Sequence, residues 1–255
     1  MSELIEACRK NDTKSALTFI ENGANLDVHD KDGLSALMIT CLNNSIKISL
    51  KLIEYKANLN IQDKNGNTAL LHSYKRYRHD TKLAIKLITC KADVNLCNNY
   101  GINSLIWACM NFKTDIALKL IEYNVSLDVQ NKSGETALIW SCIIRNKRII
   151  LKLIEKGVNV NLRDIDNRTA LMYSCWNNEI DIVLKLIESK ADLDVQINDG
   201  DTALTWACQN ECMESALILI EHGTNIELQN NDGYNALMIS SMTNNANIVS
   251  YLLER

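Results

Sequence analysis

The sequence of 255 residues has no proline, no long apolar run and no excess of positive charge. A transmembrane helix needs about 18 or more consecutive apolar residues, and no such run occurs. The net charge of −4 and the pI of about 5.6 argue against a general binder of nucleic acid or of anionic membranes. The first residues, MSELIEACRKND, include acidic side chains and no apolar stretch, so we expect no signal peptide.

What the chain does contain indicates a folded protein in a reducing environment. Hydrophobic residues make up 47% of the sequence, which is too many for a disordered chain. Nine cysteines occur without a secretion signal. This combination favours free thiols over a disulfide framework.

One structural repeat is copied along the chain. Six glycines and one asparagine mark the same point in successive repeats, which we call the turn position. Neighbouring turn positions are 33 residues apart, except for one step of 35 residues. A fixed period in this range predicts stacked supersecondary units. The turn positions are Gly33, Gly66, Gly101, Gly134, Asn167, Gly200 and Gly233.

Each repeat predicts two helices joined by a short turn. A residue that favours a helix N-cap follows the turn position, so the first helix is expected to begin there. A second apolar block such as IALKLI at 116–121 predicts the second helix. Residues rich in Asp and Asn then lead to the next turn position, where we expect a positive φ, also at Asn167. The predicted N-caps are Ser35, Thr68, Ser104, Thr136, Thr169, Thr202 and Asn235.

This pattern resembles the ankyrin repeat, a unit of about 33 residues with a β-turn and two antiparallel helices. The Thr and Leu of the family's T-P-L-H-x-A signature remain, as in TALIWSC at 136–142, whereas Ala replaces the Pro. The resemblance implies an all-α solenoid of stacked helix-turn-helix units with short β-turn hairpins, forming one domain over residues 1–255. The implied units are an N-terminal cap at 1–29, full repeats at 30–62, 63–97, 98–130, 131–163, 164–196 and 197–229, and a C-terminal cap at 230–255.

Cysteines recur eight residues after the turn position. Neighbouring packed helices lie about 8–10 Å apart, whereas a disulfide needs Cα atoms within about 4.4–6.8 Å. Adjacent copies are therefore too far apart to form a disulfide or to share a zinc ion. We expect small, buried, free thiols and no metal site. These cysteines are Cys41, Cys109, Cys142, Cys175 and Cys208, with Cys8 at the same place in the first repeat.

The sixth position after the turn carries an aromatic ring in four repeats. At 100° per residue this position lies at 200° from the repeated Leu, nearly opposite the buried face, and positions nine and ten flank it. In ankyrin proteins the first helix lines a concave groove, so the resemblance places this strip on a partner-binding surface. The candidate binding residues are Trp107, Met110, Trp140, Ile143, Ile144, Tyr173, Trp176 and Trp206.

The aromatic strip and a separate basic patch can each be explained in a second way. The rings would be structural if they lay flat across neighbouring helices and filled the groove themselves, and the protein would then be a structural or inhibitory spacer. A secondary basic patch lies in the repeat with two extra residues. It either meets an acidic partner or is a solvated loop, and its residues are Lys75, Arg76, Arg78 and Lys82.

No motif in the sequence indicates catalysis. A phosphate-binding loop, an HExxH metal motif and a G-x-S-x-G elbow are all missing, so we expect no enzyme activity and no cofactor. The resemblance implies a scaffold that recognises a protein segment through the concave groove and the turn tips. We expect a monomer, and the net charge predicts binding of neither nucleic acid nor a membrane. The style of the repeats is similar to ankyrin arrays of giant viruses and AT-rich protists. The predicted free thiols indicate a cytoplasmic location, which for a virus or an intracellular pathogen is the host cytoplasm, with a host protein as the expected partner.

Overall fold

The computed structural model describes residues 2–74, 81–123 and 125–254. Two compact halves divide the chain, residues 1–132 and residues 133–255. Among the described residues, helices of the N-terminal half are α1 (Glu3–Arg9), α2 (Thr13–Glu21), α3 (Ala36–Asn43), α4 (Ile46–Glu54), α5 (Ala69–His72), α6 (Lys82–Thr89), α7 (Ser104–Met110) and α8 (Thr114–Glu122). Those of the C-terminal half are α9 (Ala137–Ile143), α10 (Lys147–Glu155), α11 (Ala170–Trp176), α12 (Ile180–Glu188), α13 (Ala203–Gln209), α14 (Met213–Glu221), α15 (Ala236–Met242) and α16 (Ala246–Leu253).

Each first helix packs against its own second helix and against the first helix of the next repeat within the same half, as α11 packs against both α12 and α13. The second helices bury their apolar faces in the same way, since α10 packs against α12 and α12 against α14. The only β-type pairing in the described part of the chain is a single bridge between His29 and Ser35. The connections that face the next repeat are therefore tight turns and not extended hairpins.

Most of these turns are closed by their own backbone and by an acidic or amide side chain, whereas Ile197 stands at this place in the turn of Gly200. The amide of Asp164 donates to the carbonyl of Arg168 at 3.0 Å, and the amide of Asn167 donates back to the carbonyl of Asp164 at 2.9 Å. Oδ1 of Asp164 also accepts from the amides of Asp166 and Arg168 at 2.9 and 2.8 Å. Side chains of this type favour such turns because they replace a backbone acceptor. The same arrangement occurs at Asp30, Asp63, Asn98 and Asn230.

Consecutive turns are joined by a backbone hydrogen bond. In the C-terminal half the amide of Asn198 donates to the carbonyl of Asp166 at 3.2 Å. The amide of Asn231 donates to the carbonyl of Asp199 at 2.9 Å. Because the two backbones must approach within hydrogen-bond distance, little space remains for a side chain at the turn position. The N-terminal half repeats this bond from Lys64 to Asp32, from Asn99 to Asn65 and from Lys132 to Tyr100.

The turn position has a left-handed backbone, as predicted. Asn167 has a φ of 63°, and Gly200 has a φ of 81°. Asparagine tolerates this conformation better than other residues that carry a Cβ. A Cβ built on Gly200 would lie only 2.8 Å from Cα of Asn230 in the next turn, so this glycine is required by both conformation and close approach.

The predicted N-caps are confirmed in six of the seven repeats and wrong in one. Asn103, and not Ser104, caps α7, and its side chain accepts from the amide of Ile106 at 2.9 Å. The cap lies two residues after the turn position in every repeat, and Asn103 is the residue at that distance from Gly101. Ser104 is the first residue of α7, and its buried hydroxyl donates to the carbonyl of Val94.

The cysteines of the repeated position lie in the core as small apolar side chains. All six are buried, and all nine cysteines of the chain are free thiols. Burial raises the pKa of Cys142 to about 12 and that of Cys208 to about 11. A buried thiol of high pKa packs well and reacts poorly, because the thiolate is the reactive form.

We expect Gly200→Ala to destabilise the protein more than Gly233→Ala. Both glycines have a φ near +80°, so both substitutions carry a conformational cost of about 1–2 kcal/mol. A Cβ at Gly233 meets nothing within 4 Å, whereas one at Gly200 would force two turn backbones apart. Urea unfolding should show a further loss of at least about 1 kcal/mol for Gly200→Ala. Equal losses would contradict the close contact between turns.

We expect the buried thiols to react with Ellman's reagent only when the protein unfolds. At about pH 8 the native chain should be labelled first at Cys90 and Cys97, which are partly exposed. Cys109, Cys142 and Cys175 should become reactive together as denaturant unfolds the core. Fast labelling of Cys142 in the native protein would show that its helix is not packed as described.

Candidate functional site

The rings at the sixth position of the C-terminal half differ in exposure. Trp140 in α9 and Tyr173 in α11 are partly exposed, whereas only 8% of the Trp206 surface in α13 reaches solvent. The prediction that this position faces away from the core is therefore wrong for Trp206. Ile39 and Ile239, which occupy the same position in the second and last repeats, are also buried.

Trp206 is buried because the neighbouring helix covers it. α11 packs against α13, and its rings meet Trp206 edge to face. The centroid of Tyr173 lies 6.1 Å from that of Trp206 with an interplanar angle of 79°. The centroid of Trp176 lies 5.0 Å away with an angle of 71°. A projection of one helix cannot show this, since it omits the helices packed on either side.

Trp176, at the ninth position, is the exposed ring of this group. It is the last residue of α11, and 49% of its surface is open to solvent. Ile143, which ends α9, and Ile144 after it are partly exposed. A cleft of about 350 Å³ lies beside these rings, within the usual range for ligand sites. We call it the aromatic cleft, and its lining residues are Ile143, Arg168, Tyr173, Trp176, Asn177 and Trp206.

Arg168 supplies the only cationic side chain among the described residues that line the aromatic cleft. Its guanidinium carbon lies 5.9 Å from the ring centroid of Trp206, within the range of a cation–π contact. Nη1 pairs with Oδ2 of Asp166 at 2.8 Å. Nε is buried and has no acceptor in the described part of the chain. An unpaired buried donor costs about 1–3 kcal/mol, so an acceptor that reached it would stabilise the site.

Hydrogen bonds fix the other walls of the aromatic cleft. The hydroxyl of Tyr173 donates to Oδ2 of Asp164 at 3.2 Å, the same carboxylate that closes the turn. Burial, together with the charge of Asp164, raises the pKa of Tyr173, so this hydroxyl stays a neutral donor near neutral pH. The side-chain amide of Asn177 donates to the carbonyl of Cys142 at 3.1 Å, which ties the end of α11 to α9.

A position that the sequence analysis overlooked reaches these rings. Glu135 lies one residue after its turn position and accepts from Nε1 of Trp140 at 3.1 Å. Arg168 has the same position in the next repeat and lies over Trp206. The available signal is variability, because this residue changes type in every repeat, whereas the turn position before it is Gly in six of the seven repeats. The residues are Leu34, Asn67, Ile102, Glu135, Arg168, Asp201 and Tyr234.

Comparison with known proteins agrees with this architecture. A family model described as ankyrin repeats (3 copies) matches residues 4–81, 74–164, 105–197 and 171–255. The chain belongs to the ankyrin-repeat family. The predicted class of all-α helical repeats is thereby confirmed, and repeats of this family generally mediate protein–protein interaction as non-enzymatic scaffolds. A search of curated proteins found no match.

Two further candidates lie in the N-terminal half of the ankyrin array. Trp107 in α7 is partly exposed, and its indole Nε1 is buried with no acceptor among the described residues. Met110, which ends α7, is also partly exposed. Of the predicted basic patch, Lys82 is exposed at the start of α6. Lys75, Arg76 and Arg78 lie outside the described residues, so the patch stays a prediction.

Two other kinds of site, a metal centre and a membrane-spanning helix, are absent from the described residues. Within residues 2–74, 81–123 and 125–254, no group of three or more His, Cys, Asp or Glu side chains could hold a metal ion. Over the same described ranges, no helix has the length and apolar character needed to cross a membrane. The aromatic cleft is thus the candidate binding site of the described residues.

We expect Trp206→Ala to destabilise the ankyrin fold far more than Trp176→Ala. Truncating a buried Trp costs about 3–5 kcal/mol, because it removes packing and leaves a cavity. Trp176 loses only the contacts of its covered side, so its truncation should cost no more than about 1.5 kcal/mol. Urea unfolding of the two variants gives the comparison directly. Similar losses would mean that Trp176 is also a core residue.

Proposed function

We propose that this protein is a non-enzymatic scaffold that binds a segment of a partner protein through the aromatic cleft and the adjacent ring of Trp140. The observation that carries this proposal is the exposure of Trp176 beside a cleft whose walls are held by hydrogen bonds. Surfaces of this kind are typical of interfaces, and Trp and Tyr are enriched among binding hot spots. Ile144 and the turn tips extend the proposed surface. In the N-terminal half we propose Trp107 and Met110 as further contacts.

The chemistry of the aromatic cleft favours an apolar side chain next to a hydrogen-bond acceptor. The rings of Tyr173, Trp176 and Trp206 offer an apolar wall for one or two partner side chains. Arg168 adds a cation and a donor at that wall, which suits a backbone carbonyl or a carboxylate of the partner. We therefore propose a partner segment with a large apolar residue close to an acidic residue.

The cellular setting is proposed on the same grounds. Free and buried thiols support a reducing compartment, and we propose the cytoplasm. A viral source, the host cytoplasm and a host protein as partner remain predictions from the style of the repeats. Lack of a cofactor, a monomeric state and lack of nucleic-acid binding remain predictions in the same way.

The alternative function is a structural or inhibitory spacer whose groove is filled by its own side chains. The burial of Trp206 under Tyr173 and Trp176 supports this alternative for one repeat. Trp176 and Trp140 keep exposed surface, which supports the binding function. The two functions differ in what truncating an exposed ring does: it weakens partner binding in the first case and changes nothing but stability in the second.

We expect Trp140→Ala and Trp176→Ala to weaken partner binding strongly. Truncating a central hot spot costs about 2–4 kcal/mol, which corresponds to roughly 30-fold to 1000-fold in affinity. Peptide segments selected from a random display library against the 255-residue chain provide the ligand. Isothermal titration then compares its dissociation constant for the natural chain and for each variant.

The matched control is Tyr55→Ala, since Tyr55 is an exposed aromatic residue at the end of α4, a second helix, and lies outside the proposed surface. Its affinity should stay within about twofold of the natural chain. Arg168→Gln should lower the affinity only for ligands that carry an acidic residue or an essential hydrogen-bond acceptor. If both Trp variants bind the ligand with unchanged affinity but are less stable, the binding proposal fails and the spacer function is favoured.

A further inference from the structure

α5 is the shortest first helix in the described part of the chain. It has four residues, Ala69–His72, whereas the first helices of the other repeats have seven or eight. Helix formation is cooperative, so a helix of one turn gains few hydrogen bonds of its own and depends on the helices packed against it. α5 packs against α3 on one side and against α7 on the other. The stability of α5 is therefore set mainly by these two contacts.

Tyr74, two residues after the end of α5, is a buried donor without an acceptor. It lies eight residues after Gly66, at the position where other repeats carry a small cysteine such as Cys109 or Cys142. Only 1% of its surface is exposed, and its hydroxyl has no hydrogen-bond partner among the described residues. Burial raises the pKa of Tyr74, so the hydroxyl keeps its proton and needs an acceptor.

The neighbouring helix α7 carries a second donor of this kind. The indole Nε1 of Trp107 is buried and meets no acceptor in the described ranges. In the next repeat Glu135 accepts from the indole of Trp140, but the apolar Ile102 stands at that place in the repeat of Trp107. Two unsatisfied donors thus belong to the adjacent repeats whose first helices are α5 and α7.

The turns before and after α5 are well connected, in contrast to the helix itself. The amide of Lys64 donates to the carbonyl of Asp32 at 3.1 Å, and the amide of Asn99 donates to the carbonyl of Asn65 at 2.9 Å. α3 and α7 each pack against their own second helix, α4 and α8. The turns and the neighbouring helices can therefore stay in place while α5 opens.

We propose that α5 is a built-in opening point of the N-terminal half, where the helix unfolds locally and the two buried donors favour its opening. Local opening is easiest where few contacts hold an element. Opening lets water reach the hydroxyl of Tyr74 and the indole N–H of Trp107, which the closed form leaves unsatisfied. Each buried unpaired donor should raise the open population by roughly fivefold to 140-fold. The side of α7 that faces α5 is then accessible for part of the time.

Hydrogen exchange of the natural chain, followed residue by residue by NMR, tests this proposal. The reporters are the amides of His72 and Tyr173, which occupy the sixth position of their repeats and donate to the carbonyl of the N-cap at 3.1 and 3.3 Å. After correction for intrinsic rates, the amide of His72 should exchange at least about tenfold faster. Its rate should change little in low urea, because local opening exposes little surface. Equal protection of the two amides would overturn the proposal.

The decisive variant is Tyr74→Phe, with Tyr123→Phe as its matched control. The first removes the buried hydroxyl and keeps the ring, whereas the second removes a hydroxyl from a tyrosine that is 43% exposed at the end of α8 in the same half. Tyr74→Phe should slow exchange at His72 by at least about fivefold, because the closed form no longer buries this unpaired donor. Tyr123→Phe should leave the rate within about twofold.

The variants also separate this device from simple fraying of a short helix. Fraying depends on the length of α5 and not on the hydroxyl of Tyr74, so it predicts the same exchange at His72 in the natural chain and in Tyr74→Phe. Circular dichroism of each variant shows whether the helical content of the folded chain is kept. An unchanged rate in a folded Tyr74→Phe, or an equal slowing in Tyr123→Phe, would overturn the proposal.

Discussion

The hydrogen bond between consecutive turn backbones is the constraint on which the rest of this structure depends. An amide two residues before one turn position reaches the carbonyl just before the preceding turn position, as from Asn198 to Asp166. This bond sets the distance between repeats and requires a left-handed residue with little side chain beside it. A helix cap two residues later then fixes where each first helix begins. Position six of one helix can therefore lie against a neighbouring helix of the same half, as Trp206 of α13 lies against Tyr173 and Trp176 of α11.

Much of the fold could be predicted because this constraint limits which residue types can occupy fixed positions in each repeat. The period of the turn residues, the cap residues and the small cysteines all follow from backbone geometry and volume, which depend on residue type alone. Asn167 could be placed at the turn because asparagine adopts a positive φ. The N-cap at Asn103 was missed because Ser104 beside it is an equally good cap by type. Distance from the turn decides between them.

Less of the site could be predicted, because exposure depends on neighbours and not on one helix. An angle of 200° on a helical projection places position six only relative to the other residues of its own helix. It says nothing about Trp176 of the preceding repeat, which lies against Trp206. Arg168 was missed for a related reason, since its position is variable and lies in a turn. Its residue type differs in each of the seven repeats, so no repeated motif points to it.

Burial of one tryptophan supports the binding that we propose for another. Trp206 is held by edge-to-face contacts and by the guanidinium of Arg168, so it forms a rigid support for the ring of Trp176. A ring that is already fixed loses little conformational freedom when a partner covers it. The entropic cost of ordering the site on binding is therefore smaller. A flexible aromatic on an open helix would have to be ordered at the moment of binding. The packing that makes Trp206 structural is thus what would make Trp176 an effective contact.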